Sequence, residues 1–303
     1  MTPDTIRTDI IGTPAEDRGP TALRIMVGTQ LRKLREARKI SPQQAGERIR
    51  GSHAKISRLE LGRTGYKERD IVDLLDLYGV DDPLQRDAFL KLVRKANEQG
   101  WWHGYSDLLP AWFENYLGLE GAAKSIRTFE AQLVPGLLQT EDYARAVVSL
   151  AHNGLETARR VELRRERQKI LEQQTGPTLW AILDESVLRR TVGGNEVMRA
   201  QIQHLIRMAE HPSVSIQVLP YTAGGHTAVG CSFTILRFAE PELPDIVYIE
   251  QLQSAQYLDR PTDLDLYRQV MDQLSLQADS PTKTLERLRA AEAELAAAAT
   301  ESV

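Results

Sequence analysis

The sequence predicts a mainly α-helical chain in which a five-helix domain, residues 21–98, precedes a larger mixed α/β (α+β) domain, residues 99–290. Two observations support this order. Up to about residue 98, apolar residues recur at spacings of three and four, as they do in amphipathic helices. Between residues 125 and 250, short apolar or alternating runs bounded by Gly and Pro are typical of β-strands. An alanine-rich tail, residues 291–303, follows.

The first, fourth and fifth helices of the N-terminal domain follow from their apolar stripes. Such stripes predict a helix over residues 22–39 and a fourth helix that ends at Gly79, a residue suited to a helix terminus. Asp82 can cap the fifth helix, with Pro83 at its first position. These three helices provide the core against which the intervening segment can pack.

The intervening segment, residues 40–63, has the pattern of two short helices joined by a tight turn. Ser41 can cap the first of these helices, and Pro42 occupies the first helical position, where a missing N–H costs nothing. Gly51 is expected to supply the turn, because glycine accepts backbone conformations that other residues avoid. Ser52 can then cap the second helix.

The second of these helices is short, basic and rich in small residues. Ile56 and Leu59 lie three apart and face the core, and Glu60 is better explained as the partner of a neighbouring arginine than as a base contact. Small side chains permit close approach to DNA, while Lys, Arg and Ser donate to base edges and phosphates, so the open face suits the major groove. That face comprises His53, Ala54, Lys55, Ser57 and Arg58.

The segment resembles the helix-turn-helix of the XRE (Cro/CI-like) repressor family, whose recognition helix has the pattern S-x-x-x-I-S-R-x-E-x-G-R. The resemblance implies a sequence-specific transcription regulator that binds a pseudo-palindromic operator in double-stranded DNA as a homodimer, with half-sites about one helical turn apart. The matching residues are Ser52, Ile56, Ser57, Arg58, Glu60, Gly62 and Arg63.

Phosphate contacts are expected from Ser52, Gln43, Arg63 and Lys67. The chain departs from the family next to Gln43. The family commonly has Gln directly after the cap of the first short helix, whereas this chain has Pro42 there and Gln43 one position later.

The net charge of −4 conceals an uneven distribution. Residues 21–70 hold 13 Lys/Arg and 5 Asp/Glu, whereas the remainder holds 25 Lys/Arg and 37 Asp/Glu. A basic N-terminal segment followed by an acidic remainder is typical of a protein that binds a polyanion such as DNA. The alternative is that a small helical domain merely has a solvated basic face.

Composition argues against several other classes of protein. No stretch approaches 18 uncharged apolar residues, so no membrane span is expected. The single cysteine, Cys231, excludes an intramolecular disulfide and a Cys-rich zinc site. Residues 1–20 lack the apolar core of a signal peptide and are interpreted as a flexible tail. We therefore expect a cytoplasmic protein that is nucleoid-associated when bound to DNA.

Residues 100–117 are rich in aromatic side chains and contain three of the four tryptophans. One interpretation is an aromatic core patch that joins the two domains. The other is a ligand or partner pocket, because aromatic side chains offer a large contact area at low entropy cost. The residues proposed for such a pocket are Trp101, Trp102, Tyr105, Trp112 and Phe113.

The C-terminal domain alternates predicted strands and helices. Residues 126–132 alternate as a strand with one polar face, and Thr140 caps a helix after the Pro135-Gly136 turn. Residues 157–174 predict a long charged helix with a narrow apolar stripe, so that much of it should be exposed. Further strands are expected in residues 178–188, 214–220, 231–238 and 245–252, and further helices in residues 195–210, from residue 263 and from residue 281.

The run FEAQLVPGLLQTEDYA, residues 129–144, carries a second resemblance, with WW and YLGLE before it. It is similar to the C-terminal domain of unknown function in many actinobacterial XRE-type regulators, of which the WhiJ-like developmental regulators are one group. The likeness extends from about Gln99 to Ala290. It implies a domain that dimerises or binds a partner, since a small acidic protein is often encoded beside such regulators.

No set of residues predicts catalysis, a metal site or a bound cofactor. His226 and Cys231 are close in sequence, but a lone cysteine at the start of a strand is most often a small buried hydrophobe. Asp184 and Glu185 are adjacent after a strand and point in different directions, which makes a poor acid/base pair. Three roles stay open for the second domain: dimerisation or partner binding, sensing of a small molecule in the aromatic pocket, and, more remotely, an enzyme tethered to the DNA-binding head.

Overall fold

A computed structural model describes residues 19–62, 64–228, 230–239 and 243–300. The chain separates into two compact units that divide in sequence between His103 and Gly104. A helical unit is followed by an α/β unit with a six-stranded mixed sheet, which confirms the predicted fold class. The predicted N-terminal tail lies outside the described residues up to residue 18.

The first unit contains the five predicted helices. Their bounds are α1 (Pro20–Ala37), α2 (Pro42–Arg48), α3 (His53–Glu60), α4 (Glu68–Leu77) and α5 (Pro83–Ala96). The predicted caps are confirmed, since Ser41, Ser52 and Asp82 each accept a hydrogen bond from a backbone N–H in the first turn of their helix. One core joins the inward faces of all five helices: Leu23, Val27, Leu31, Ala45, Ile49, Ile56, Leu59, Ile71, Leu74, Leu75, Tyr78, Phe89 and Val93.

The turn between α2 and α3 depends on Arg50, so the prediction that Gly51 supplies it is wrong. Arg50 has φ 53°, whereas Gly51 is not among the residues with positive φ. The Gly51 N–H donates to the carbonyl of Gly46 over 2.8 Å. A left-handed conformation costs a non-glycine residue about 1–2 kcal/mol, so packing of the two flanking helices must hold Arg50 in it.

The second unit is built on one sheet in the order β3-β2-β1-β4-β5-β6. The first three strands are parallel, and β4, β5 and β6 join them as antiparallel neighbours. The four-residue β6 was not predicted, because so short a run carries little periodicity. The strands are β1 (Ser125–Glu130), β2 (Thr178–Asp184), β3 (Val214–Leu219), β4 (Phe233–Arg237), β5 (Ile246–Glu250) and β6 (Ala255–Leu258).

The helices of the second unit are α6 (Ala111–Glu120), α7 (Glu141–Val148), α8 (Gly154–Gln168), α9 (Ser186–Arg189), α10 (Asn195–Met208), α11 (Pro261–Gln277) and α12 (Pro281–Thr300). Residues 291–300 of the alanine-rich segment continue α12, and Ala291 is buried there. Cys231 lies in the loop before β4 and not at the first position of the strand, because the loop continues to Ser232.

The prediction that much of α8 is exposed is wrong for its C-terminal half, since Arg164, Arg167 and Gln168 all bond to groups inside the unit. On β1, the polar residue Thr128 is likewise buried, with its hydroxyl 3.0 Å from that of Thr234 on β4. Polar side chains can be buried where partners satisfy them, and a single sequence does not show those partners.

The carboxyl group of Glu130, at the end of β1, has an unusual environment. Burial raises its pKa to about 7, assisted by the charge of Glu250 and opposed by hydrogen bonds from Ser232 and Thr128 and by the charge of Arg167. The folded protein therefore holds this proton more tightly than the unfolded chain does. The resulting stabilisation is fully present below about pH 4.3, the pKa of a free Glu side chain, and is lost as pH rises through about 7.

Glu130→Gln is expected to remove this pH dependence. At pH 8 the variant should be more stable than the wild type by about 2–3 kcal/mol, because it no longer buries a carboxylate. Urea unfolding of both proteins at pH 5.5 and pH 8 measures the difference. Glu210→Gln, at an exposed position after α10, is the control and should change stability little at either pH. An equal response of Glu130→Gln at the two pH values would contradict the raised pKa.

Candidate nucleic-acid interface

The position of α3 is set by its close crossing with α1. At Gly28 the two helices approach so closely that an added Cβ would lie 2.5 Å from the carbonyl oxygen of Glu60. Beyond the end of α3, the hydroxyl of Tyr66 lies 2.6 Å from the Arg24 carbonyl and 3.0 Å from the Leu59 carbonyl. These contacts fix α3 against the core at its C-terminal end.

A buried ion pair adds a directional restraint to this crossing. Arg35 of α1 donates from Nε and Nη2 to the two carboxylate oxygens of Glu60 over 2.5 and 2.9 Å. Its remaining donor, Nη1, reaches the Ile40 carbonyl over 2.9 Å. The hydrogen bonds that Arg35 donates to Glu60 raise the pKa of Arg35, so its guanidinium stays charged. The interpretation of Glu60 as an arginine partner is confirmed.

The side of α3 that faces away from this core carries the predicted base-contacting residues, with one exception. His53, Ala54 and Arg58 are exposed and Ser57 is partly exposed, and their spacing of one, four and five residues places them on a single helix face. We call these four residues the exposed face of α3. Ser52 is exposed at its N-terminal end, where its hydroxyl accepts from the Lys55 N–H over 3.3 Å.

Lys55 is the exception, because its ammonium group is engaged inside the unit. Its Nζ lies 2.5 Å from Oδ2 of Asp70 in the first turn of α4. The Asp70 side chain is only 5% exposed, whereas that of Lys55 is 31% exposed. A carboxylate so buried needs a counter-ion, and Lys55 supplies it among the residues that the structure describes. Sequence reasoning missed this role because it placed Lys55 only by helix face.

The predicted phosphate-contacting residues that the structure describes lie at exposed positions on different elements. Gln43 is exposed on α2, with Nε2 3.5 Å from Oε1 of Glu47, and Lys67 is exposed just before α4. Arg63 lies outside the described residues. Arg50 is a further candidate that sequence reasoning missed, because it is exposed in the turn that precedes α3. The signal available in the sequence was a basic residue beside the predicted turn.

Not every cation of this basic unit is available to DNA. Arg35 is committed to Glu60, and Arg38 donates to the carbonyls of Tyr78 and Gly79, where it caps the end of α4. The basic composition of residues 21–70 therefore serves folding as well as any electrostatic attraction.

The five aromatic residues proposed for a pocket are divided between the two units. Trp101 and Trp102 belong to the first unit, where their rings meet edge to face with centroids 5.9 Å apart. Tyr105 lies in the second unit under the guanidinium of Arg159. Only Trp112 and Phe113 line a cavity of the second unit, which has a volume of about 360 Å³.

Comparison with known families agrees with this geometry. The family model described as "Helix-turn-helix domain" matches residues 27–89, a span that contains α2, α3 and the exposed face of α3. The fold and the match together define the class of protein, a helix-turn-helix DNA-binding regulator. The model described as "Domain of unknown function (DUF5753)" matches residues 113–290. The chain belongs to this DUF5753 family.

No curated protein and no solved structure matches the chain significantly. Among the described residues, no helix has both the length and the apolar character needed to cross a membrane.

The ion pair of Lys55 predicts a stability effect that a purely base-contacting residue would not have. Lys55→Met leaves Asp70 buried without a cation, and it should lower the free energy of unfolding by about 1–3 kcal/mol. The double variant Lys55→Met/Asp70→Leu should recover most of this loss, because neither charge remains. Urea unfolding of the full chain measures both effects, and unchanged stability of Lys55→Met would refute the structural role.

Proposed function

We propose that the protein is a sequence-specific transcription regulator that inserts α3 into the major groove of DNA. The observation that carries the proposal is the exposed face of α3, which is small and hydrogen-bonding and is held rigidly by α1. His53, Ser57 and Arg58 would contact base edges, and Ala54 would allow the helix to approach them closely. A rigid support matters because base recognition depends on side-chain placement within a fraction of an ångström.

Phosphate contacts would surround this helix and position it. We assign them to Ser52, Gln43, Lys67 and Arg63, as the sequence predicts, and we add Arg50 because it is exposed in the turn before α3. Such contacts give affinity and register without sequence information. Lys55 would reach a base only by giving up Asp70, so we assign it a structural role first.

One α3 covers only half of a site. We therefore propose a homodimer that binds a pseudo-palindromic operator with half-sites about 34 Å apart and acts there as a repressor. The DUF5753 domain would dimerise or bind a small acidic partner protein, and the resemblance to WhiJ-like actinobacterial regulators supports this assignment. We give this domain a binding role and no catalytic one, and we place the protein in the cytoplasm, at the nucleoid when it is bound to DNA.

A second candidate role for the DUF5753 domain is sensing of a small molecule. The cavity of about 360 Å³ lined by Trp112 and Phe113 favours it, because ligand sites are typically concave, largely apolar and of about 300–1,000 Å³. The two roles are compatible, since a ligand that binds one conformation better shifts the population that is competent to bind DNA.

Selection of binding sites from a random pool of DNA duplexes by the full chain tests the main proposal. We expect an enriched pseudo-palindrome, with affinity that falls steeply as salt concentration rises. Arg58→Ala should weaken binding to the enriched site by about 1–3 kcal/mol and relax the preference at one base pair.

Two further variants separate base contacts from phosphate contacts. Lys67→Ala should weaken binding to all sequences about equally and reduce the salt dependence. Arg207→Ala, which removes an exposed arginine from α10 in the other unit, is the matched control and should bind as the wild type does. Failure to enrich any sequence, or equal losses for Arg58→Ala and Arg207→Ala, would contradict the proposal.

A further inference from the structure

The cavity of the DUF5753 domain combines apolar walls with charged side chains. It lies between α6, α7, α8 and the end of β5. Its apolar lining includes Trp112, Phe113, Val148, Leu163 and Leu252. The rings of Trp112 and Phe113 meet edge to face, with centroids 5.7 Å apart. A ligand here would place an apolar body against these side chains.

Two of the three arginines in the lining already have carboxylate partners. Arg167 forms a bidentate ion pair with Glu120, whose side chain is only 1% exposed, and it also lies over the rings of Phe113 and Tyr116. Burial lowers the pKa of Arg167, but the charge of Glu120 and the hydrogen bonds to it have the larger, opposite effect. The pKa of Arg167 is therefore raised. Arg160 donates to Glu156 over 2.9 Å. These two cations are compensated within the domain.

The third arginine, Arg164, is different. Its Nη1 donates to the neutral side-chain oxygen of Gln139 over 2.8 Å. Within the described part of the chain, its guanidinium forms no ion pair with a carboxylate at 4 Å or less. Burial, together with the nearby charge of Arg167, lowers the pKa of Arg164 to about 10, and the charge of Glu250 opposes this shift. The side chain is therefore still a cation at neutral pH, and it has spare donors beside the cavity.

The lining also contains one carboxylate, Glu250 at the end of β5. Its Oε2 accepts from the Tyr248 hydroxyl over 3.0 Å. Among the described residues, no Lys, Arg or His reaches it within 4 Å. In the ranges that the structure describes, Arg164 and Glu250 form no ion pair within 4 Å, although the charge of Glu250 acts on Arg164 at longer range. A ligand with a single negative charge would meet repulsion from Glu250, and one with a single positive charge would meet repulsion from Arg164.

We propose that the cavity binds a zwitterionic α-amino acid with an apolar or aromatic side chain. Its carboxylate would bind Arg164, whose planar guanidinium can donate two parallel hydrogen bonds. Its ammonium group would bind Glu250, and its side chain would pack against Trp112 and Phe113. This inference rests on the sensing role of the DUF5753 domain, and it names the class of ligand that is sensed.

Isothermal titration calorimetry on the full chain, without DNA, tests the inference. The probes are leucine, isoleucine, valine, methionine, phenylalanine and tryptophan, together with two singly charged analogues, 3-phenylpropionate and 2-phenylethylamine. We expect at least one of the amino acids to bind. We also expect each analogue to bind at least about tenfold more weakly than phenylalanine does, because it leaves Glu250 or Arg164 unpaired.

Variants at the two charged positions sharpen the test. Arg164→Met should abolish amino-acid binding. Glu250→Gln should weaken amino-acid binding but strengthen the binding of 3-phenylpropionate, because the variant no longer repels the carboxylate of this analogue. Arg165→Met is the matched control, because this arginine is the next residue on α8 and its side chain is 65% exposed. This variant should bind amino acids as the wild type does. Circular dichroism of each variant confirms folding, and Glu250→Gln keeps the test valid if Arg164→Met unfolds.

Two results would overturn the inference: no amino acid of the panel binds, or 3-phenylpropionate binds the wild type as tightly as phenylalanine does. Because these titrations contain no DNA, their failure leaves the proposed recognition by α3 untouched. Amino-acid binding that leaves DNA affinity unchanged would support the ligand class and contradict the sensing role.

Discussion

The placement of α3 depends on how closely α1 crosses it. Gly28 allows the backbones to meet, because any side chain there would collide with the carbonyls of Leu59 and Glu60. The Arg35–Glu60 ion pair then restrains rotation of α3 at its end. Both constraints act on the buried side of the helix, and neither involves the exposed face of α3. A base-contacting helix requires a buried side that is held rigidly and an exposed side whose side chains can contact DNA.

The DUF5753 domain is organised by a comparable constraint on an irregular segment. Residues 134–139 are largely buried and have no regular secondary structure apart from one short 3-10 turn, so their backbone polar groups need other partners. Gln168 of α8 donates to the carbonyls of Gly136 and Gln139, and Gln201 of α10 donates to that of Leu138. The same face of α8 carries Arg164 and Arg167, so the helix that secures the segment also supplies the charged wall of the cavity.

The α8 helix shows why part of the candidate site escapes prediction. Its sequence is among the most polar in the chain, and amphipathic periodicity assigns such a helix to solvent. Arg164, Arg167 and Gln168 are nevertheless engaged inside the domain, because Gln139, Glu120 and the irregular segment satisfy them. Lys55 illustrates the same point in the first unit. Helix phase alone indicated an outward residue, but Asp70, fifteen positions away, captures its charge.

The sequence by itself determined the order of the five N-terminal helices and of strands β1 to β5, the caps at Ser41, Ser52 and Asp82, and the identity of the helix that presents small and basic side chains. These features are local, because they depend on periodicity and on residues within one helical turn. Only the tertiary structure decided that Arg50 carries the turn, that Lys55 pairs with Asp70, and that Arg164 and Glu250 share a cavity with Trp112 and Phe113. Those features join residues distant in sequence, and their pairing depends on burial and charge that arise only when the chain has folded.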